Sequence, residues 1–472
     1  MNTISQKDSS DNFKSSLKQL FSYLGVSALL KQSNFKKRAG YGASVYELFF
    51  MVFSSCFFSK NKTVHGNFTA SKQTNVCSSK SSLYRFLSNE HNNWRKFLLL
   101  LASRVISKIK HLSNSDRKFC FVLDDSVLER AKGKEVELLA RIHDHVSQSF
   151  VKGFTCIQLG WTDGNSYIPV NNALLSSSKE ENRYCEASVA IDHRCCGFMR
   201  RAEAQLKKTL VAINLIKQSL NAGICADYVL MDSWFTTEPF IQEVTALGLD
   251  VIGMVKALKQ RYWYNGKQLN LRKLYQAIPN KHNADIICSA KVKTKNGINV
   301  KIVFIRNRNS HREYLALLST DLNISDEDIV RQYSKRWLIE TNFRAQKQYF
   351  KLGTETYARN YDNLISFMTM SSVRYVIMEF SRRYNSDTRS LGELFRNTSE
   401  QLEDIPFIDA IDSLMRCFSN LAKELDAAKL LKPGCIAKAE KLINDKLSSW
   451  FTGICQYLQD IFTTYNLCKI SI

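Results

Sequence analysis

The sequence lacks the cysteine spacing that would build a metal site or a disulfide framework. Its 13 cysteines are an odd number, no CxxC pair occurs, and Cys195 and Cys196 are directly adjacent. Zinc sites and redox motifs depend on short, regular cysteine spacings. The absence of these spacings excludes a cysteine-rich metal site and predicts buried, reduced thiols in a cytoplasmic chain.

Long hydrophobic runs are also missing. The apolar stretch 48–58 is interrupted by Ser54 and Ser55 and is shorter than the ~20 residues that a helix needs to cross a bilayer. The first ten residues are polar, which argues against a signal peptide. We therefore expect a buried helix at 48–58 and no membrane partner.

Acidic residues are few relative to basic ones. The chain has 44 Asp and Glu against 66 Lys and Arg, a formal charge of +22, and residues 1–118 contribute +14 of it with 19 basic and 5 acidic residues. This asymmetry is typical of a region that binds nucleic acid. Within it, residues 78–87 predict a short helix with Lys80 and Arg85 near its start, either a DNA-reading helix or an ordinary basic surface helix.

From residue 119 the pattern changes to short apolar, β-branched runs. We predict strands at 119–124, 153–161, 166–170, 228–232 and 250–255, and helices at 199–219 and 236–247. One strand ends in Asp124 and Asp125 and another ends in Asp232. Each aspartate could simply cap the next element, but carboxylates gathered at strand ends are also the ligands that Mg²⁺ prefers.

A single helix is predicted over 325–347, with a capping box formed by Ser325 and the aspartate three residues later. At about 100° per residue, four polar side chains share a stripe about 60° wide. These are Tyr333, Arg336, Glu340 and Lys347. Such a stripe is either a solvated face with ordinary ion pairs or a site for a metal ion and a phosphate. Together with the acidic strand ends, it favours two-metal phosphodiester chemistry.

The spacing of these four residues resembles the YREK signature of DDE transposases from bacterial insertion sequences, the cut-and-paste group. Segments 123–130, 153–164 and 230–235 resemble the carboxylate blocks of that group, and the likeness covers residues 118–350. It implies an RNase H-like core and a DNA transposase that cleaves at insertion-sequence ends and transfers the strands into target DNA.

The resemblance also implies the catalytic residues. Asp232 and Glu340 are expected to be the second and third carboxylates, and the first is Asp124 or Asp125, because strand alternation lets only one of the two reach the metal. These side chains would hold two Mg²⁺ ions, with Mn²⁺ as a substitute. Tyr333, Arg336 and Lys347 would contact the DNA backbone, the arginine as a bidentate fork and the lysine as a point charge.

The expected partners are double-stranded DNA, as transposon ends and as target, and a second copy of the chain on that DNA. Two alternatives stay open at this stage. A structure-specific DNA nuclease with the same core would cut without joining, and a domesticated DNA-binding protein would bind without cutting.

The fold class expected is α/β, an RNase H-like core with an inserted β-rich subdomain, flanked by helical N- and C-terminal regions. The boundaries are a helical, basic DNA-binding region at 1–117, the first part of the core at 118–255, the inserted β-rich subdomain at 256–320, the core helix with the third carboxylate at 321–355, and a helical C-terminal region at 356–472 that could dimerise.

Two smaller clusters have open interpretations. The segment 261–264, ArgTyrTrpTyr, precedes an AsnGly turn and predicts either a hydrophobic hairpin contact or a surface that stacks on a base. His143 and His145 are either a pair of metal ligands or structural residues, and the lack of a third nearby ligand favours the structural role.

Overall fold

A computed structural model gives the fold of residues 19–37, 42–57, 80–112, 117–256, 260–279, 285–307 and 314–384. The chain divides into two compact units, one formed by Met1–Ser27, Phe57–Val76 and Gly392–Ile472, and the other by Ala28–Cys56 and Cys77–Leu391. The second unit holds nearly all of the described residues. Residues 385–472 of the C-terminal region that was predicted to dimerise lie outside them.

The helices in the described stretches are α1 Val26–Gln32, α2 Val45–Ser54, α3 Lys80–Leu87, α4 Trp94–Lys110, α5 Cys196–Ala204, α6 Lys208–Asn221, α7 Glu238–Thr245, α8 Leu271–Ala277, α9 Asp326–Ser334, α10 Trp337–Gln348 and α11 Tyr361–Tyr384. The strands are β1 Cys120–Glu129, β2 Ala140–Asp144, β3 Ser149–Thr162, β4 Tyr167–Leu175, β5 Tyr228–Met231, β6 Asp250–Val255, β7 Arg261–Tyr264, β8 Lys267–Asn270, β9 Ile286–Thr294, β10 Asn299–Arg306 and β11 Tyr314–Ser319.

All of these strands join one mixed sheet. Its order is β2-β3-β1-β5-β6-β11-β10-β9-β7-β8, and β4 pairs with β3 beside β2. The strands β1, β5 and β6 run parallel to one another at the centre, and antiparallel strands extend the sheet on both sides. Parallel central strands need crossover helices between them, and α5 to α7 supply these connections.

The predicted core elements are present in the predicted order, with two differences. The helical stretch predicted at 199–219 is two helices, α5 and α6, and the short strand β2 was not foreseen. The core therefore reads four strands, two helices, strand, helix, strand, which is a mixed α/β arrangement.

Five strands lie between residues 256 and 320, the segment in which a β-rich subdomain was predicted. Asn265 and Gly266 have φ of 47° and 75°, which is the left-handed conformation that a two-residue hairpin turn requires between β7 and β8. These strands do not form a separate sheet, because β11 pairs antiparallel with β6 of the core. The inserted region thus extends the core sheet by five strands.

Helices from both ends of the compact unit form the core with this sheet. The buried side chains of α4 recur every three or four residues, from Trp94 through Leu98 and Leu101 to Ile109, and this stripe packs against β4 and α11. In α11 every residue from Tyr361 to Phe380 is buried. The predicted boundary at 117/118 therefore falls inside one compact unit.

Candidate active site at the ends of β1 and β5

Two acidic residues follow the paired part of neighbouring parallel strands. In the register of β1 and β5, Leu123 lies opposite Met231, so Asp124 and Asp232 are the next residues on each strand. The carboxyl ends of neighbouring parallel strands meet at one edge of a sheet, which is where ligands of open α/β sheets bind. Asp232 also caps the turn after β5, since its Oδ1 accepts hydrogen bonds from the N–H groups of Trp234 at 3.0 Å and Phe235 at 3.2 Å.

Asp124 and Asp125 face opposite sides of the sheet. Arg336 donates to Asp124 Oδ2 at 2.8 Å, whereas Lys208 of α6 donates to Asp125 Oδ1 at 2.7 Å. The Lys208 ammonium also lies 3.5 Å from the ring centroid of Trp234. Asp125 thus has its own cation on the α6 side, and Asp124 faces α10.

The single helix predicted over 325–347 is wrong, because the helix is interrupted between Ser334 and Trp337. At the interruption the N–H of Arg336 donates to the Tyr333 carbonyl at 2.9 Å, and the N–H of Ile339 donates to the Arg336 carbonyl at 3.1 Å. These bonds span three residues and tighten the chain into a 3₁₀-type turn. The predicted cap at Ser325 forms, since its hydroxyl accepts from the N–H of residue 328 at 3.0 Å.

Arg336 joins two of the predicted carboxylates. One guanidinium nitrogen binds Asp124 and another binds Glu340 Oε1. Burial raises the pKa of Asp124 to about 7, Arg336 opposes this rise, and the negative charges of Asp232 and Asp125 add to it. The Asp124 carboxyl therefore lies in an environment that disfavours its ionised form.

The chemistry of this donor set fits a divalent metal ion. Asp124, Asp232 and Glu340 offer only carboxylate oxygens, which hard cations such as Mg²⁺ bind. Within the described stretches, no three carboxylate, imidazole or thiol groups lie close enough together to hold a metal in this conformation. The Arg336 guanidinium lies between two of these carboxylates, so a metal ion bound by both would require it to move.

The two other residues of the polar stripe are Tyr333 and Lys347, which precede and follow Arg336 and Glu340 along the chain. The hydroxyl of Tyr333 is buried and has no hydrogen-bond partner among the described residues, and burial raises its pKa to about 12. A buried hydroxyl of this kind normally bonds to a water molecule or a ligand. Lys347, near the end of α10, contacts a later residue of β1, with its Nζ 3.4 Å from the Val127 carbonyl oxygen.

Several predicted residues are not part of this cluster. Lys80 and Arg85 are exposed on α3, and Arg85 Nε donates to the Ser81 carbonyl at 3.2 Å. In the segment 261–264, Tyr262 is a core residue whose hydroxyl donates to Gln260, and Trp263 is 45% exposed. Strand alternation places Trp263 on the side opposite Tyr262 and Tyr264, and Trp263 is the most exposed of the three aromatic residues.

The histidine pair lies on the hairpin of β2 and β3. The rings of His143 and His145 are 4.8 Å apart. They belong to no metal-binding group in the part of the chain that is described.

Sequence reasoning missed a buried network of amides behind the carboxylates. Gln158 lies opposite Asp124 in the register of β3 and β1, and its Oε1 accepts a hydrogen bond from Asn342 of α10. The Gln346 amide donates to Asn342 Oδ1 at 2.8 Å, and Gln158 donates to Ser372 Oγ of α11 at 3.2 Å. The network ties α10, which carries Glu340, to the strand beside Asp124. Its sequence signal is a glutamine between the apolar residues Ile157 and Leu159 of β3.

Two family models match the chain. The model of the DDE superfamily endonuclease matches residues 58–272, and the model of the transposase DDE domain matches residues 201–373. No curated protein matches the chain. The two matches support a DDE transposase, a nuclease-type enzyme whose partner is DNA, and they imply an RNase H-like core.

The DDE superfamily is generally dependent on divalent metal ions, in agreement with the oxygen donors at the ends of β1 and β5. None of the helices in the described stretches is both long enough and apolar enough to span a bilayer.

Proposed function

We propose that the chain is a cut-and-paste transposase of the YREK group, which cleaves DNA at insertion-sequence ends and joins those ends to target DNA. The observation that carries this proposal is the double ion pair of Arg336, which gathers Asp124 and Glu340 at the strand edge that also bears Asp232. Three carboxylates with an arginine fork are the groups that phosphoryl transfer needs.

We assign the metal ions to Asp124, Asp232 and Glu340, and not to Asp125. Asp125 is neutralised by Lys208 on the other side of the sheet. Two Mg²⁺ ions bound there, or Mn²⁺ in their place, would supply activation of the attacking oxygen and stabilisation of the leaving oxygen.

The remaining residues bind and orient the DNA. Arg336 already donates from two guanidinium nitrogens, and the same fork fits two oxygens of a phosphate. The buried Tyr333 hydroxyl would donate to a DNA phosphate oxygen, which would give it the partner that it lacks among the described residues. Lys347 would add a positive charge further along the strand of DNA.

Strand transfer with the element's own terminal sequences and Mg²⁺ tests this function. We expect cleavage at the ends and joining to a target plasmid, and we expect Asp232→Ala and Glu340→Ala to abolish both while end binding is kept. Lys217→Ala, which removes an exposed charge on α6, is the control and should retain activity. Cleavage without joining would favour the nuclease, and binding without cleavage would favour the domesticated protein.

A further inference from the structure

The hairpin of β2 and β3 carries a cationic face that the catalytic site does not use. Arg141 lies directly opposite Lys152, and His143 lies directly opposite Phe150. Opposite residues of an antiparallel pair point to the same side, as do alternate residues of one strand. These four side chains therefore share one side of the hairpin, which we call the hairpin face.

The charges of this face are not balanced within the hairpin. Like charges directly opposite each other destabilise a strand pair, yet Arg141 and Lys152 are both cations and both exposed. Asp144 is the one acidic residue in 140–152. It lies on the other side of the hairpin, opposite Ser149, and accepts hydrogen bonds from Val146 and Ser147 in the turn.

An exposed aromatic ring holds one of the two cations in place. The guanidinium carbon of Arg141 lies 4.1 Å from the ring centroid of Phe150, which is 58% exposed. His143 packs edge-on against the same ring at 5.1 Å. A cation stacked on an aromatic ring loses less conformational freedom when it then binds a phosphate.

The hairpin is continuous with the candidate active site. Gly153, where β2 begins to pair with β3, lies opposite Glu129 at the end of β1. Lys152 and Phe150 face the same side of β3 as Gln158, because alternate residues of a strand share a side. On that side Gln158 bonds to Asn342 of α10, so the hairpin face lies on the side of the sheet that is covered by α10, the helix that follows Arg336 and carries Lys347.

We propose that the hairpin face binds the phosphate backbone of duplex DNA outside the catalytic site, with Arg141 and Lys152 as the phosphate ligands and Phe150 positioning Arg141. The proposal rests on the proposed function, because it extends the DNA path from that site. Lys152 and Phe150 lie six and eight residues from Gln158, the residue opposite Asp124. At ~3.4 Å per residue and ~3.4 Å per base pair, the contact falls roughly 6–8 base pairs from the cleaved bond.

Equilibrium binding of the full-length protein to a labelled 40-base-pair duplex of mixed sequence, measured across NaCl concentrations, tests the proposal. Arg141→Ala and Lys152→Ala should each weaken binding roughly threefold to tenfold and lower the slope of log affinity against log salt by roughly 0.9. Lys217→Ala removes an exposed lysine of α6 and should change neither quantity. Equal affinities and slopes for all four proteins would overturn the proposal.

A double-mutant cycle tests the positioning role of Phe150. Phe150→Ala should weaken binding with little change in salt slope, and Phe150→Ala combined with Arg141→Ala should bind about as well as Arg141→Ala alone. Fully additive losses would overturn the positioning role. Circular dichroism and the melting temperature of each variant check that the fold is kept.

The two proposals fail in different ways. If the hairpin variants bind duplex as well as the wild type does, the hairpin proposal alone is overturned. If they lose binding while the wild-type protein shows no Mg²⁺-dependent cleavage, the hairpin proposal is supported and the proposed catalysis is overturned.

Discussion

At the scale of single residues, Arg336 connects the sequence pattern to the chemistry. It is one of the four polar residues predicted to share one face of the helix at 325–347. In the structure its guanidinium binds the carboxylates of Asp124 and Glu340. Strongly shifted carboxyl pKa values are typical of functional sites. The raised pKa of Asp124 beside Arg336 is therefore expected at a site that binds a divalent metal ion.

The assignment of the first carboxylate gives a prediction. Asp124→Asn should reduce cleavage roughly a thousandfold, because it removes a metal ligand that contributes several kcal/mol. Asp125→Asn should cost roughly tenfold or less, because it removes only the partner of Lys208. Single-turnover cleavage of a labelled transposon end would measure both, and equal losses in the two variants would contradict the assignment.

Strand alternation was enough to predict that Asp124 and Asp125 diverge. It could not decide which of them faces Glu340, because that depends on which helix covers each side of the sheet. The packing of α6 against one side and α10 against the other is a tertiary arrangement. Local patterns of apolar and polar residues do not indicate which helix packs on which side of a sheet.

At the scale of elements, the strands of the core were predictable and the long helix was not. Short apolar runs bounded by polar residues indicate strands whatever packs on them. The interruption at 335–336 contains neither proline nor glycine, so no local signal for it was available. The buried amides behind the carboxylates were missed for a similar reason, since a polar residue in a helix gives no sign of its partner on a distant strand.

The amide network should matter for stability and for catalysis. Asn342→Ala should lower the free energy of unfolding by roughly 1–3 kcal/mol, because the buried Gln158 and Gln346 amides lose a partner. It should also lower the cleavage rate by loosening the helix that carries Glu340. Urea unfolding and cleavage assays measure both effects. Gln348→Ala, an exposed amide on the same helix, is the control, and equal stability of the two variants would contradict the role.

A second buried cluster predicts a pH dependence. Arg201 of α5 binds Glu137 at 2.5 Å and Asp362 of α11 at 2.8 Å. Burial by itself would raise the Glu137 pKa, but hydrogen bonds from Arg201 and from the N–H groups of Ser188 and Tyr361 lower it below its usual value of 4.5.

A lowered carboxyl pKa adds stability above the unfolded pKa, and this stability is lost as the pH falls through the folded pKa. Glu137→Gln should therefore reduce the free energy of unfolding at pH 7, and the difference from the wild type should shrink below about pH 4.5. Urea titrations at pH 7 and at pH 3.5 would show it. A difference that stays the same at both pH values would contradict the linkage.

At the scale of the whole molecule, the sequence predicted the helices and strands better than the boundaries between regions. The basic N-terminal helices and the inserted strands were both expected, but each was expected as a region of its own. Instead α4 buries Trp94 and Leu101 against the core, and β11 pairs with β6. Amino-acid composition shows where the charge and the hydrophobic pattern of a chain change. A domain boundary depends instead on which surfaces are buried together.

The central claim is that Asp124, Asp232 and Glu340 together bind the catalytic metal ions. Fe²⁺ in place of Mg²⁺, with ascorbate and peroxide, generates radicals that cut the polypeptide near the bound metal. With a duplex carrying the element's end, we predict cuts near residues 124, 232 and 340 that excess Mg²⁺ suppresses, that weaken in Asp232→Ala and that persist in Asp125→Asn. Cuts at only one of these three segments, or cuts that Mg²⁺ does not suppress, would contradict the claim.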